Sequence, residues 1–238
     1  MMFYKRILLK LSGESLASNS RNGISADRLL EYSTQIKTIA EAGCQIGIVI
    51  GGGNIFRGVQ GTSAGIDRIQ GDYMGMMATI INSMALQNAL QKQGVECEIL
   101  SALEVEPVCK RMSSRRAIEL LEKNCVVIMA GGTGNPFFTT DSGAALRAAE
   151  IHAEALLKGT RVDGIYSADP EKDKSAVKFD TLTFDDCLQK NLKVMDMTAF
   201  TLCRENNIAL HVFNMDVTGN LERVVNGDKI GTTVKSGQ

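Results

Sequence analysis

Val126-Val127-Ile128-Met129-Ala130-Gly131-Gly132-Thr133-Gly134-Asn135-Pro136-Phe137-Phe138-Thr139-Thr140-Asp141 is the stretch on which the fold turns. Its first residues are a short continuous apolar run, the pattern of a strand buried on both faces. A glycine cluster follows, and a helix is expected to begin near Asp141, with Asp141 itself as its cap. Glycines at a strand exit leave the main chain uncovered, so backbone N–H groups can approach an anion. The helix behind adds unpaired N–H groups and the positive end of its dipole. Pro136 fixes the path of the loop, and Thr139 and Thr140 offer hydroxyls. The stretch therefore reads as a strand, a ligand loop for something polar and phosphorylated, and a helix.

The same pattern recurs along the chain. Apolar runs near residues 6–11, 45–50, 95–100, 125–130, 154–158 and 208–213 read as buried strands. Between several of them lie helical spacings over 26–42, 72–93 and 114–123. In the second, Met74, Met77, Ile81 and Met84 form a stripe read as a packed core face. Thr183 with Asp186, and Asp196 before an apolar run, have the form of helix starts. Alternating strands and helices predict a mostly parallel sheet covered on both faces. Lys10-Leu11-Ser12-Gly13-Glu14 closes the first strand and Gly51-Gly52-Gly53-Asn54 the second, so three glycine loops fall where such sheets collect ligands. No internal repeat or convincing linker interrupts the pattern, which favours one domain over 1–238. Residues 161–182 carry turn chemistry suited to a lid or a small subdomain.

Composition narrows the function. A length of 238 residues, 44% hydrophobic and 22% charged, with net charge −1, is ordinary for a globular protein and argues against one that coats nucleic acid. No apolar run reaches the length of a membrane span, and the chain enters a strand pattern directly after Met1 and Met2, so a cytoplasmic protein is expected. The six cysteines form no C-x-x-C pair and read as buried thiols. His152 and His211 are the only histidines, which leaves few candidates for histidine-based catalysis or a metal cage. Neither G-x-x-x-x-G-K-[ST] nor G-x-G-x-x-G occurs. What remains is charge beside the glycine loops. Lys10 interrupts an apolar strand, where a lysine is costly unless paired or ligand-bound. Arg57 stands four residues beyond Gly53, placed to clamp a phosphate.

On these residues the chain resembles the bacterial uridylate (UMP) kinases of the amino acid kinase family. The matching segments are Lys5 to Glu14, Ile50 to Gly58, Gly71-Asp72-Tyr73-Met74-Gly75-Met76, Gly132 to Asp141, Lys158 to Tyr166 with Ala168-Asp169-Pro170, and Lys193-Val194-Met195-Asp196. The resemblance implies an α/β fold, a three-layer α/β/α sandwich around a mostly parallel sheet. It also implies Mg²⁺-dependent transfer of the ATP γ-phosphoryl group to UMP, giving UDP and ADP in pyrimidine nucleotide biosynthesis. Carried over by position, Lys10, Leu11, Ser12 and Gly13 would line the ATP phosphates, joined by Gly53 and Arg57. Thr160, Tyr166 and Asp169 would form the ATP nucleoside side. Gly52 would approach UMP through its backbone, and Asp72 would hold the ribose hydroxyls. Thr133, Gly134, Asn135, Pro136, Phe137, Phe138, Thr139 and Thr140 would enclose the uracil and its phosphate. Lys10, Arg57 and Asp141 make the catalytic set, with Asp141 orienting Lys10 and the metal; no residue is assigned as a direct metal ligand. The resemblance further implies a homohexamer, with the Met-rich helix as an interface, and feedback inhibition by UTP. The segment Ser18-Asn19-Ser20-Arg21-Asn22-Gly23 departs from the family's glycine-richer form, which speaks against activation by GTP.

Two rival readings compete with this one. Another small-molecule kinase of the family, acting on a carboxylate or carbamate, would have no reason to carry Asp72 or the Phe137-Phe138-Thr139-Thr140 wall. A non-enzymatic nucleotide sensor would not need Lys10, Arg57, Asp141 and Asp169 together.

Overall fold

Burial on both faces is what turns the apolar runs into the middle of a parallel sheet. The computed structural model describes residues 2–17, 22–57, 65–170 and 172–237. All six apolar runs are strands: β1 (Arg6–Leu11), β2 (Gln45–Ile50), β3 (Cys97–Ser101), β5 (Val126–Ala130), β6 (Ala155–Thr160) and β10 (Ala209–Asn214). Short strands that the sequence pattern did not reveal are β4 (Lys110–Arg111), β7 (Ile165–Tyr166), β8 (Lys178–Phe179), β9 (Thr181–Thr183) and β11 (Thr232–Lys235). The helices are α1 (Ala26–Glu41), α2 (Arg68–Lys92), α3 (Ser114–Leu121), α4 (Thr140–Glu150), α5 (Phe184–Gln189), α6 (Met197–Glu205) and α7 (Asn220–Val225). Nine strands form one sheet in the order β4-β3-β5-β2-β1-β6-β10-β11-β9, and β7 pairs with β8 apart from it. The pairings are parallel from β4 to β10, and β10 meets β11 antiparallel. The segment 161–182 is thus largely the separate β7–β8 ribbon, and only its end enters the main sheet.

Two cores follow from strand alternation. Ile7, Leu9 and Leu11 of β1 pack with Ile36 and Ile39 of α1, Leu86 and Leu90 of α2, and Val224 of α7. Leu8 faces the other way, into a core with Ala144, Ala145 and Ala148 of α4, Leu121 of α3, and Phe200 of α6. Each fully buried leucine contributes roughly 1.5–3 kcal/mol to this arrangement. Helices on both sides of the sheet make the three-layer α/β/α sandwich.

Three local readings are corrected. The Met74, Met77, Ile81 and Met84 stripe is exposed, at 41–47% of each residue's surface, and does not face the core. The buried side of α2 carries Met76, Thr79, Ile80, Ser83, Leu86 and Leu90 instead. Apolar residues surround this helix, so spacing alone cannot choose its inner face. The choice falls to the face whose small and polar groups fit the crowded strand exits: Thr79 accepts the Gly131 N–H at 2.9 Å, and Asn82 donates to the Gly51 carbonyl at 2.7 Å. The helix also begins earlier than residue 72, because Asp67 caps it by accepting from the N–H groups of Ile69 and Gln70. Finally, Thr139, not Asp141, caps α4, its hydroxyl accepting from the N–H groups of Asp141 and Ser142. The starts at Thr183 and Asp196 are present, the first as a full capping box. All six cysteines are buried free thiols.

Lys10 does not sit on an edge strand. β1 lies between β2 and β6, in the middle of the sheet. His211, in β10, is equally enclosed, with Tyr4 Oη at 2.6 Å from Nε2 and Thr233 Oγ1 at 3.0 Å from Nδ1. Burial holds its pKa down to about 4. The unfolded chain therefore binds a proton that the fold rejects. The stabilisation is complete above about pH 6.5 and is lost as pH falls toward 4, by on the order of 3 kcal/mol. The thermal midpoint should drop more steeply between pH 7 and 4.5 in the native protein than in His211→Asn; parallel curves would contradict this.

Candidate active site

Strand register places the first two charges. Lys10 stands directly opposite Lys158 across the parallel pair β1 and β6. By alternation each shares a face with the leucine two residues earlier, Leu8 or Leu156, and both of those leucines pack in the α4-side core. The lysines therefore project toward the first turn of α4, where Asp141 sits. Asp141 Oδ1 lies 3.1 Å from Lys10 Nζ, and Oδ2 lies 2.7 Å from Lys158 Nζ. The three side chains are only 13–17% exposed. Lys158 also donates to the Val194 carbonyl at 2.7 Å. Burial pushes the Asp141 carboxyl up, but the two ammonium groups outweigh it and hold the carboxyl below its usual range. Burial lowers the Lys158 pKa, Asp141 opposes that, and nearby Lys10 adds to the lowering. Two cations share Asp141, and the Asp196 carboxylate at the start of α6 also acts on Lys158.

Small residues let this happen. A Cβ at Gly143 of α4 would meet Gly132 main-chain atoms at 3.3–3.4 Å, so the helix start rests against the glycine loop. Gly131, Gly132 and Gly134 have φ of +76°, +57° and +79°, the left-handed region that glycine enters without strain. At Gly13 a Cβ would strike the Gly51 carbonyl oxygen at 2.4 Å, so the first two strand-exit loops are stacked main chain against main chain. Behind α4, Asp196 accepts from the hydroxyls of Thr139 and Ser142, tying the start of α6 to the start of α4. Arg147 donates to the Gly132 carbonyl at 3.0 Å and holds the loop from inside.

Two cavities flank the lysine cluster. One, of about 310 Å³, is lined by Gly52, Gly53, Arg57, Asp72, Thr133, Asn135, Phe138, Thr139 and Thr140, with Phe56, Gly71, Gly75, Met76, Thr79 and Gly132 completing it. The other, of about 510 Å³, includes Lys158, Thr160, Tyr166, Asp169 and Val194 in its wall. Lys158 stands in the wall of the larger and Thr140, next to Asp141 in the chain, in the wall of the smaller, while Lys10 lines neither. Leu11 is fully buried and Gly13 is packed under Gly51, so both can offer a ligand only main chain. Ser12 precedes a 3₁₀ turn over Gly13–Leu16 and makes no capping bond with its side chain.

Some of the expected residues are placed otherwise. Gly134, Pro136 and Phe137 do not line the smaller cavity, and Phe137 is 65% exposed with φ +72°. Its N–H donates to Asp72 Oδ2 at 2.7 Å, while Arg68 Nε holds the same carboxylate at 2.9 Å. Asp72 thus fastens α2 to the loop. Arg57 is ion-paired with Glu14, its Nη2 2.8 Å from Oε1. Tyr166 donates to Asp163 at 2.6 Å. Lys158 and Thr79 were given no role on sequence. For Lys158 a signal existed, because Leu156-Leu157-Lys158 repeats the Leu8-Leu9-Lys10 pattern. A buried helix threonine such as Thr79 gives none. The Ser18 to Arg21 part of the segment that bears on GTP lies outside the described residues.

Asp141 is committed to two lysines, and no group of three or more His, Cys, Asp or Glu among the described residues could hold a metal. The residues present therefore do not fit a protein-held metal site. Among the described residues, no helix is long and apolar enough to cross a membrane.

Comparison with known proteins agrees with this geometry. The model of the amino acid kinase family matches residues 5–214. The uridylate kinase of Parabacteroides distasonis is 60% identical over 98% of this chain and 99% of its own, and that of Bacteroides thetaiotaomicron is 58% identical over the same shares. Among solved structures, the UMP kinase of Bacillus anthracis aligns at a TM-score of 0.96 and 37% identity, covering 99% of this chain and 97% of that one. The UMP kinase of Ureaplasma parvum aligns at 0.93 and 40%, covering 99% and 100%. A nucleotide-sized pair of cavities around a buried lysine pair, on a fold shared with these enzymes over nearly its whole length, places the chain: it belongs to the amino acid kinase family, with the uridylate kinases as its relatives.

Proposed function

We propose that this chain, acting as a single domain over 1–238, transfers the γ-phosphoryl group of ATP to UMP and releases UDP and ADP in the cytoplasm. The observation that carries the reading is the lysine pair bridged by Asp141, with Lys158 in the wall of the larger cavity and Thr140, beside Asp141, in the wall of the smaller. ATP occupies the larger, its nucleoside against Thr160, Tyr166 and Asp169 and its phosphates toward Lys158, Lys10 and the main chain of Leu11, Ser12, Gly13 and Gly53. UMP occupies the smaller. There Thr133, Asn135, Phe138, Thr139 and Thr140 of the loop surround the base and phosphate, Gly52 offers its main chain, and Asp72 takes the ribose hydroxyls.

The reaction asks little of acid–base chemistry. A nucleoside monophosphate loses its second proton with a pKa of ~6, so its attacking oxygen is already ionised at neutral pH. Alignment of two repelling anions and neutralisation of charge on the transferring group are the real requirements. Lys10 and Lys158 offer fixed positive charge from one side, and Arg57 offers it from the other. Asp141 keeps the two ammonium groups at a set spacing, so little reorganisation accompanies transfer. Magnesium would enter on the phosphates of ATP, not on a protein cage. The exposed apolar face of α2, with Met74, Met77, Ile81 and Met84, supports assembly into a homohexamer. UTP, which carries the same base as UMP, would act as feedback inhibitor, and activation by GTP is not part of this reading.

In a coupled ADP-release assay with UMP, CMP and AMP as acceptors, UMP should give the highest kcat/KM. Lys10→Ala and Arg57→Ala should each lower kcat about a hundredfold, the scale of one preorganised electrostatic contact. Near-native kcat in either variant would remove that residue from the catalytic set. Asp72→Asn should act chiefly on the KM for UMP, and an unchanged KM would refute the ribose assignment.

A further inference from the structure

A carboxylate beside anion-binding loops needs an explanation, since it repels the ligand unless its charge is matched. Glu14 is such a group. It lies in the 3₁₀ turn Gly13–Leu16, directly after β1, and its Oε1 is 2.8 Å from Arg57 Nη2. Arg57 Nε donates to the Gly53 carbonyl at 3.1 Å. These two contacts, from different nitrogens of one planar guanidinium, fix its orientation as well as its position. Arg57 lines the smaller cavity, while Glu14 is not among the residues that line it.

The support for Glu14 is itself rigid. Arg161 Nη2 donates to the Glu14 carbonyl at 3.2 Å, and Arg28 Nε donates to the carbonyl of the next residue, Ser15, at 3.0 Å. Arg28 is in turn held by Tyr32 at 2.7 Å and by Asp216. Leu16 is fully buried, and Gly13 is wedged against Gly51. The backbone of the turn is thus fastened at several points, and the half-exposed Glu14 side chain reaches Arg57 from that anchored turn. A long arginine held only by its own stem would sample many rotamers and lose that freedom on meeting a phosphate.

We infer that Glu14 is a positioning residue for phosphoryl transfer, which holds the Arg57 guanidinium aimed into the acceptor cavity from outside that cavity. This rests on the assignment of Arg57 to the substrate phosphates made above. It extends that reading to a residue with no substrate contact, whose whole effect passes through Arg57.

A double-mutant cycle tests it. Steady-state kinetics with ATP and UMP, and thermal midpoints, are measured for the native enzyme, Glu14→Ala, Glu14→Gln, Arg57→Ala and the Glu14→Ala/Arg57→Ala pair. Glu14→Ala should lower kcat/KM for UMP about tenfold, part of what a misaimed catalytic group costs. Glu14→Gln, which keeps the hydrogen bond without the charge, should recover most of that loss. Both single Glu14 variants should melt as the native enzyme does. In the Arg57→Ala background Glu14→Ala should cause no further loss. The same loss in both backgrounds, or no loss with Arg57 present, would overturn the inference while leaving the Arg57 assignment standing. An Arg57→Ala enzyme with native turnover would overturn that assignment and this inference with it.

Discussion

Lys10 and Lys158 occupy opposed register positions in neighbouring parallel strands, so the sheet brings two ammonium groups side by side where little water reaches them. Like charges so placed repel, and each is costly to desolvate. Asp141 is what makes the arrangement tenable, meeting both at 2.7–3.1 Å. The Asp196 carboxylate, tied to the first turn of α4, adds a second and more distant negative charge that acts on Lys158. A buried ion pair of matched charge would serve stability weakly at best. A lysine pair held at glycine-rich strand exits is better understood as a seat for an anion, and Lys158 stands in the wall of the larger cavity.

Everything around the triad serves its spacing. Asp141 reaches the sheet only because α4 comes close, and α4 comes close because Gly143, Ala144, Ala145 and Ala148 present little bulk. The loop before α4 needs three glycines in left-handed conformations to turn from β5 into the helix. Thr139 caps the helix, and Asp196 of the neighbouring helix start grips that cap. The same loop that fixes Asp141 is thus the wall of the smaller cavity. The position of Asp141 and the shape of that cavity are set by one piece of main chain.

Much of this was legible in the sequence, for a physical reason. Parallel strands buried on both faces read as continuous apolar runs, so all six principal strands stood out. The strand exits were marked by glycine, and Lys10 by its cost in an apolar strand. The unread strands are two to four residues long, too short for a period, and Lys110–Arg111 is charged besides. The inner face of α2 was misjudged because its methionines mimic a core stripe, while the true inner face is part Thr79, Asn82 and Ser83. Thr79 and Asn82 are buried because they satisfy the main chain of the glycine loops, a demand that only the assembled sheet creates, whereas Ser83 bonds back to the Thr79 carbonyl of its own helix. Asp141 looked like a helix cap because a cap and a charge partner occupy nearly the same sequence position. Arg57 was visible beside its glycines, but its tie to Glu14 spans 43 residues and leaves no local trace.

The claim that the lysine pair forms the electrostatic centre of transfer is tested most directly at Lys158, which no sequence motif singled out for this role. Lys158→Gln removes the charge and leaves a side chain one bond shorter whose amide N–H can still donate toward Asp141. Single-turnover transfer from ATP to UMP should slow about a hundredfold, with ATP affinity by calorimetry within a few-fold of native. A variant that transfers phosphoryl at the native rate would contradict the account.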